Sequence, residues 1–206
     1  METLLHILDI FGITVFAISG ALAAGKRRMD LFGVVVLAAV TALGGGTLRD
    51  MILDVGQVFW VTEPTYLIVA VAAAVATFFT VRLFSLPPML LAVADALGLA
   101  VFTILGTEKA LAVGMPAIIA IVMGVITGVV GGMIRDVLSG EMPLILRSEL
   151  YATASFCGAI ILTLTITKLQ VREIAVLASL LVTLALRLSA IKWKISLPLM
   201  SRDKGT

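Results

Sequence analysis

One cysteine and one histidine are all that 206 residues provide. Cys157 alone cannot close an intramolecular disulfide, and a four-cysteine zinc site is excluded. With His6 the single imidazole, most metal centres and histidine-based triads fall away too. Charge is equally scarce at 14%, against about 25% in a soluble domain. A formal net charge of +2 is too small to mark a polyanion partner, so no nucleic acid is expected. Apolar residues make up 61% of the chain and the mean hydropathy is +1.17. Secreted enzymes, cytosolic Rossmann domains and nucleic-acid binders fit this poorly, whereas an integral membrane protein fits well.

A bilayer core of about 30 Å takes roughly 20 apolar residues per helix. Polar, Pro and Gly punctuation divides the chain into seven such segments, at 3–24, 31–53, 64–83, 89–107, 116–138, 149–167 and 173–191. The run Lys26-Arg27-Arg28-Met29-Asp30 is too charged to bury, and Pro87-Pro88 and Met142-Pro143 cannot continue a helix. Pro64 and Pro116 stand where proline suits a first helical turn. Glu2 before the first apolar run and the basic triplet after it reverse the order of a secretory signal, so the first segment is read as a retained helix. Lys26, Arg27, Arg28, Arg82, Arg147, Lys192, Lys194, Arg202 and Lys204 fall on one side, against Lys109, Lys168 and Arg172 on the other. The positive-inside rule then puts the N-terminus outside and the tail, 192–206, in the cytoplasm, as expected of a multi-pass inner (plasma) membrane protein.

Displacing the sequence against itself by 86 residues aligns Asp9, Gly12, Val15, Phe16, Ile18 and Gly20 with Asp95, Gly98, Val101, Phe102, Ile104 and Gly106. The same offset carries Thr41, Gly45, Gly46, Arg49, Asp50 and Glu63 onto Thr127, Gly131, Gly132, Arg135, Asp136 and Glu149. Charged and glycine positions in register over such a length mark a duplication. Three spans per unit, an odd number, insert the second copy upside down. The expected fold is an all-α membrane protein, a 3+3 inverted repeat (9–83 and 95–168) plus a seventh helix at 173–191. Inverted repeats recur in proteins that move solutes, with the site where the halves meet.

Spans two and five carry Gly44-Gly45-Gly46-Thr47-Leu48-Arg49-Asp50 and Gly131-Gly132-Met133-Ile134-Arg135-Asp136. Each glycine inside a helix costs about 0.8 to 1.0 kcal/mol relative to alanine, so such runs mark a bend, a break or a close approach. The reading adopted is a kink or break, lining a watery cavity; close packing of two helices is the alternative. Charges following within a turn demand pairing or water. Topology places Asp9 with Arg49 toward the outer half and Asp95 with Arg135 toward the inner half, giving two polar vestibules about a narrow waist. The candidate pathway is Asp9, Thr41, Gly44, Gly45, Gly46, Arg49, Asp50, Asp95, Thr127, Gly131, Gly132, Arg135 and Asp136. An intramembrane aspartyl enzyme is disfavoured, because adjacent arginines hold these acids ionised where a dyad needs one protonated.

Other residues read as structural. His6 is a headgroup contact, Cys157 beside Gly158 is small-residue packing, Arg187 snorkels, and Trp193 between Lys192 and Lys194 anchors the interface. Hydroxyls of Thr14, Thr41, Thr127 and Thr163 are expected to bond back to their own helices.

The twice-present Gly-Gly-x-x-Arg-Asp in a seven-span chain resembles the bacterial membrane proteins built from two glycine-transporter type domains. These are similar to the trimeric intracellular cation (TRIC) channels. The resemblance covers essentially the whole chain. It implies a homotrimer with an ion pathway in each protomer, kinked at the glycines of spans two and five and passing monovalent cations, potassium chiefly and also sodium. It implies no cofactor and no metal beyond permeating ions. Animal members carry a lysine, associated with phosphoinositide lipid, near where Arg135 stands here. This sequence departs from that pattern with Arg-Asp in both repeats, so the phosphoinositide association is not carried over, and membrane lipid is expected as a partner only. A carrier of glycine or another small amino acid is the rival function, since paired Arg and Asp suit a zwitterion.

Overall fold

The computed structural model describes residues 2–84, 87, 89–147 and 150–196. Pro88, Glu149, Arg202 and Lys204 of the sequence reading lie outside them, as does the side chain of Glu2. Each predicted span falls on one helix: α1 Glu2–Lys26, α2 Leu31–Ile52, α4 Thr65–Leu83, α5 Leu90–Ala112, α6 Ala117–Leu138, α7 Ala152–Leu164 and α8 Arg172–Trp193. Between α2 and α4 lies a single turn, α3, Phe59–Thr62, and a 3₁₀ turn, Leu144–Leu146, precedes α7. Helix α7 runs on through a π-helical turn, Thr165–Leu169, which brings it to membrane length. All seven long helices are apolar enough to cross a membrane, and no strand occurs among the described residues.

The inverted repeat is visible in the packing. Helices α1, α2 and α4 pack mutually, as do α5, α6 and α7, while α1 meets α5 and α2 meets α6 across the pseudo-two-fold axis. Helix α8 has no counterpart and leans on α5 and α7. Even the turns repeat: Arg28 and Gly114, then Asp54 and Gly140, have positive φ at the same offset.

Two boundaries differ from expectation for a reason. The fourth span, expected to stop at Thr107, continues to Ala112 because Glu108 and Lys109 are paired with Arg172 and Asp50 and so need not leave the helix. The first runs on to Lys26, whose cation favourably ends the helix dipole.

Of the kink or break expected at the glycines, the break is corrected. Helices α2 and α6 continue without a break through Gly44–Gly46 and Gly131–Gly132. A Cβ on Gly45 would stand 2.1 Å from the carbonyl oxygen of Thr127, and one on Gly131 would stand 2.3 Å from that of Thr41. The glycines let the two helices cross at backbone contact, so no unwound carbonyls are released. Gly20 and Gly106 repeat the device, admitting Thr41 and Thr127 respectively. Cys157 is only partly buried, and its neighbour Gly158 makes the close contact of α7 with Ser179 and Thr183 of α8.

Candidate functional site

Where α2 ends, Asp50 organises three groups. Its Oδ1 accepts from Arg49 Nε at 2.8 Å and faces Lys109 Nζ at 2.9 Å, while its Oδ2 accepts the Phe59 backbone N–H at 2.9 Å. The last bond caps the first turn of α3 and lays the Phe59 ring 5.5 Å from the Arg49 guanidinium. Gly46 makes room for that ring, since a Cβ there would sit 2.6 Å from it.

Beside this cluster opens a cavity of about 310 Å³ whose charged lining is Asp9, Glu63 and Glu108 with Arg49, Lys109 and Arg172. Arg172 at the start of α8 donates to both carboxylate oxygens of Glu108, its Nε at 2.9 and 2.8 Å. Tyr66 also lines the cavity, its hydroxyl 3.2 Å from His6 Nδ1. His6 therefore has a protein partner at the rim, which the headgroup reading did not include.

The second repeat rebuilds the arrangement at the opposite end. Arg135 donates from Nε and Nη2 to Asp136 Oδ1 at 2.9 and 2.8 Å, and Asp136 Oδ2 accepts the Leu144 N–H at 2.9 Å, capping the 3₁₀ turn. Arg135 Nη1 also reaches Asp95 Oδ1 at 2.6 Å and Ser19 Oγ at 2.5 Å. Tyr151 donates to the same Asp95 oxygen at 3.3 Å, a closeness Gly132 permits. Arg135 and Asp95 are both 0% exposed. Burying such charges is tolerable because each is met by opposite charge and hydrogen bonds. A second cavity of about 180 Å³ adjoins, lined by Lys26, Arg27, Arg135, Asp136, Glu141 and Arg147.

Phe16 of α1 and Phe102 of α5 stand between the two clusters along their helices, ring centroids 5.2 Å apart at 27°. They are mates under the 86-residue offset. Phe16 packs into the space left by Gly98 and Phe102 into that left by Gly12. Both rings are buried, as are Ile13, Thr41 and Thr127, so side chains close the waist. The Thr41 and Thr127 hydroxyls bond back to Leu37 O and Met123 O at 2.6 Å each.

The structure thus gathers the sequence-selected residues into two charged clusters and one waist. Asp9 and Arg49 share the larger of these two cavities, and Asp95 and Arg135 are in direct contact. Gly44 meets only the tip of Ile134. Arg187 does not snorkel: it is 1% exposed, with its guanidinium 4.8 Å from the Tyr151 ring centroid. Nor does Arg49, which is buried against Asp50. Sequence reasoning missed Ser19, Tyr66, Glu108, Lys109, Tyr151 and Arg172 as members of these clusters. A charged pair inside the last turn of an apolar helix was the available signal for Glu108 and Lys109.

Residues 6–82 and 92–167 each match the family described as Glycine transporter. The UPF0126 inner membrane protein YadS of Escherichia coli strain K12 is 51% identical over 204 residues, 98% of this chain and 99% of its own. A UPF0126 membrane protein of Vibrio cholerae is 48% identical over 98% of this chain and 85% of its own. The solved TRIC trimeric intracellular cation channel orthologue from Rhodobacter sphaeroides superposes with a TM-score of 0.90 at 40% identity, over 94% of this chain and all of that one. A prokaryotic TRIC channel crystallised in 0.5 M KCl gives 0.89 at 33% identity, over 96% and 100%. Two copies of the matching unit, the charged cluster ending each and a shared seven-helix architecture place this multi-pass membrane protein in the Glycine transporter family, among the UPF0126 proteins that share the TRIC channel fold.

Proposed function

We propose that the chain is a monovalent cation channel of the TRIC type, passing potassium chiefly and also sodium, and not an enzyme. It assembles as a homotrimer with one pathway per protomer through the repeat interface, residues 9–83 and 95–168 forming the two halves. The N-terminus lies outside and the tail, 192–206, in the cytoplasm. The observation that carries the reading is the pair of charged cavities at opposite ends of one pseudo-symmetric bundle, separated by the Phe16–Phe102 stack. Its path runs past Asp9, Arg49 and Asp50, through the waist where Thr41, Gly44, Gly45, Gly46, Thr127, Gly131 and Gly132 set the helix crossing, and on to Asp95, Arg135 and Asp136. Paired acids neutralise the arginines, so the walls need not repel cations. The closed waist is a resting state, and conduction requires the two rings to part. Solved relatives described as cation channels favour this reading over the amino-acid carrier.

Purified protein in planar bilayers under a potassium chloride gradient tests it. Discrete currents reversing toward the potassium equilibrium potential are expected. Saturable glycine uptake without unitary currents would reject a channel, and a reversal potential toward chloride would reject cation selectivity.

A further inference from the structure

A further cavity of about 530 Å³, also with charged lining, lies outside both clusters, between the ends of α1 and α4 and the start of α2. Its walls are apolar, from Ala21, Val34, Phe78 and Val81, and its polar rim carries Arg28, Arg82 and Asp30. Asp30 is already engaged, accepting the Gly33 N–H at 2.8 Å as the N-cap of α2. The arginines are not. Among the described residues the Arg28 side chain makes no hydrogen bond or ion pair, its backbone N–H alone bonding to Gly25 O at 3.1 Å, and the Arg82 guanidinium pairs with no carboxylate and lies over the Phe78 ring, 5.3 Å to its centroid. By contrast Arg27, Arg49, Arg135, Arg147 and Arg172 all pair with carboxylates.

The duplicated architecture sharpens the point. Arg28 sits in the left-handed region at φ 54°, and the same turn of the second repeat holds Gly114 at φ 80°. Glycine is what that backbone favours, so an arginine is kept there against a conformational cost. At the other member of the pair, Arg82 corresponds to Lys168. Packing does not require two arginines at this end, since the second repeat builds the same corner without them.

We infer that this cavity is a binding site for an anionic glycerophospholipid, its phosphate held between Arg28 and Arg82 and an acyl chain lying along Val34, Phe78 and Val81. Charge complementarity at the membrane interface and the apolar walls below it select a lipid over a soluble anion. The site is independent of whether the chain conducts.

Native mass spectrometry of the full-length protein tests it, using phosphatidylglycerol and phosphatidylcholine of matched chains. Wild-type protein is expected to retain one tight phosphatidylglycerol per protomer. In R28G/R82Q the affinity should fall about tenfold or more, the value of a lost charge-assisted contact. R28K/R82K should keep most of it. Arg28→Gly alone should raise the melting temperature in zwitterionic lipid while losing the phosphatidylglycerol-induced rise, a crossing of signs that misfolding does not produce. The inference is overturned by equal phosphatidylglycerol affinity in wild type and R28G/R82Q, by equal affinity for phosphatidylcholine, or by full displacement of the lipid with millimolar inorganic phosphate. Cross-linking of Arg82→Cys to a neighbouring protomer would overturn it too.

Discussion

Substituting alanine at Gly45 and Gly131 separates a helix crossing from a helix hinge. The added methyl would meet a backbone oxygen at 2.1 Å in one case and 2.3 Å in the other. Ordinary carbon-to-oxygen contact begins near about 3.3 Å, so α2 and α6 must separate by about 1 Å where they cross. Overpacking of this kind costs about 1–3 kcal/mol, toward the upper end when the obstacle is backbone and cannot rotate away. Alanine returns about 0.8–1.0 kcal/mol of helix propensity, leaving a net loss of about 2 kcal/mol for each variant. Gly25→Ala is the internal control: nothing lies within 4 Å of its Cβ position, so only the propensity gain remains. Thermal denaturation in detergent, followed by fluorescence-detected size exclusion, should show Gly45→Ala and Gly131→Ala destabilised alike and Gly25→Ala unchanged or improved. If the glycines served as unwound hinges, alanine would strengthen the helices. A raised melting temperature for either variant, or severalfold disagreement between the two, would refute the crossing and its symmetry.

Three further outcomes follow from the clusters and the waist. Asp95→Leu leaves Arg135 buried with one fewer counter-charge and should cost about 3–5 kcal/mol, whereas Arg27→Gln at the rim should cost about 1 kcal/mol or less; equal losses by thermal denaturation would contradict the burial argument. Phe16→Ala and Phe102→Ala each remove one ring of the stack, so potassium flux from loaded liposomes should rise in both, and unchanged flux would remove the rings from the pathway. Arg172→Gln frees Glu108 and leaves the cavity it shares with Asp9 more negative, so cation conductance should rise at about 10–50 mM salt and return to wild type near about 1 M, where the Debye length is about 3 Å. An increase that persists at high salt would point to a steric cause.

Seven spans and an inverted duplication were legible because both rest on strong signals, long apolar runs and charged or glycine residues in fixed register. The charged clusters were half legible. Arg49-Asp50 and Arg135-Asp136 stood out as charges in apolar helices, and topology paired them with Asp9 and Asp95. What an arginine touches beyond that depends on side chains distant in sequence. Ser19 reaches Arg135 across 116 residues, and Leu105 stands at its repeat position, so no internal match draws attention to it. Arg187 read as an interface residue because its distance from the chain's polar tail is short, yet the Tyr151 ring that covers it belongs to the connection before α7. The expected break at the glycines failed for a related reason. Sequence records that a Cβ is missing, while the Thr127 and Thr41 carbonyls that occupy its place are known only once α2 and α6 cross.

Opposite insertion of two copies makes the middle of the molecule self-facing, so contacts near the axis either join mates, Phe16 with Phe102, or come in mated pairs, Gly45 against Thr127 and Gly131 against Thr41. That constraint relaxes toward the ends, and there the copies diverge. Lys109 stands at the counterpart of Ala23 and joins Asp50. Glu141 stands at the counterpart of Val55: Val55 packs against the cluster of Leu53, Ala110, Ala120 and Met123, while Glu141 binds Arg27 and Arg147 at the opposite end. Arg135 is enclosed by Asp95, Asp136 and Ser19, fully buried, so moving it exposes or strands several charged partners at once. Arg49 shares Asp50 with a lysine that is one-third exposed and borders the larger of the two cavities. Rearranging the Arg49 cluster therefore strands fewer groups, since Lys109 can trade Asp50 for water. If the waist opens by movement of charges at its ends, the Arg49 cluster is the one that yields first.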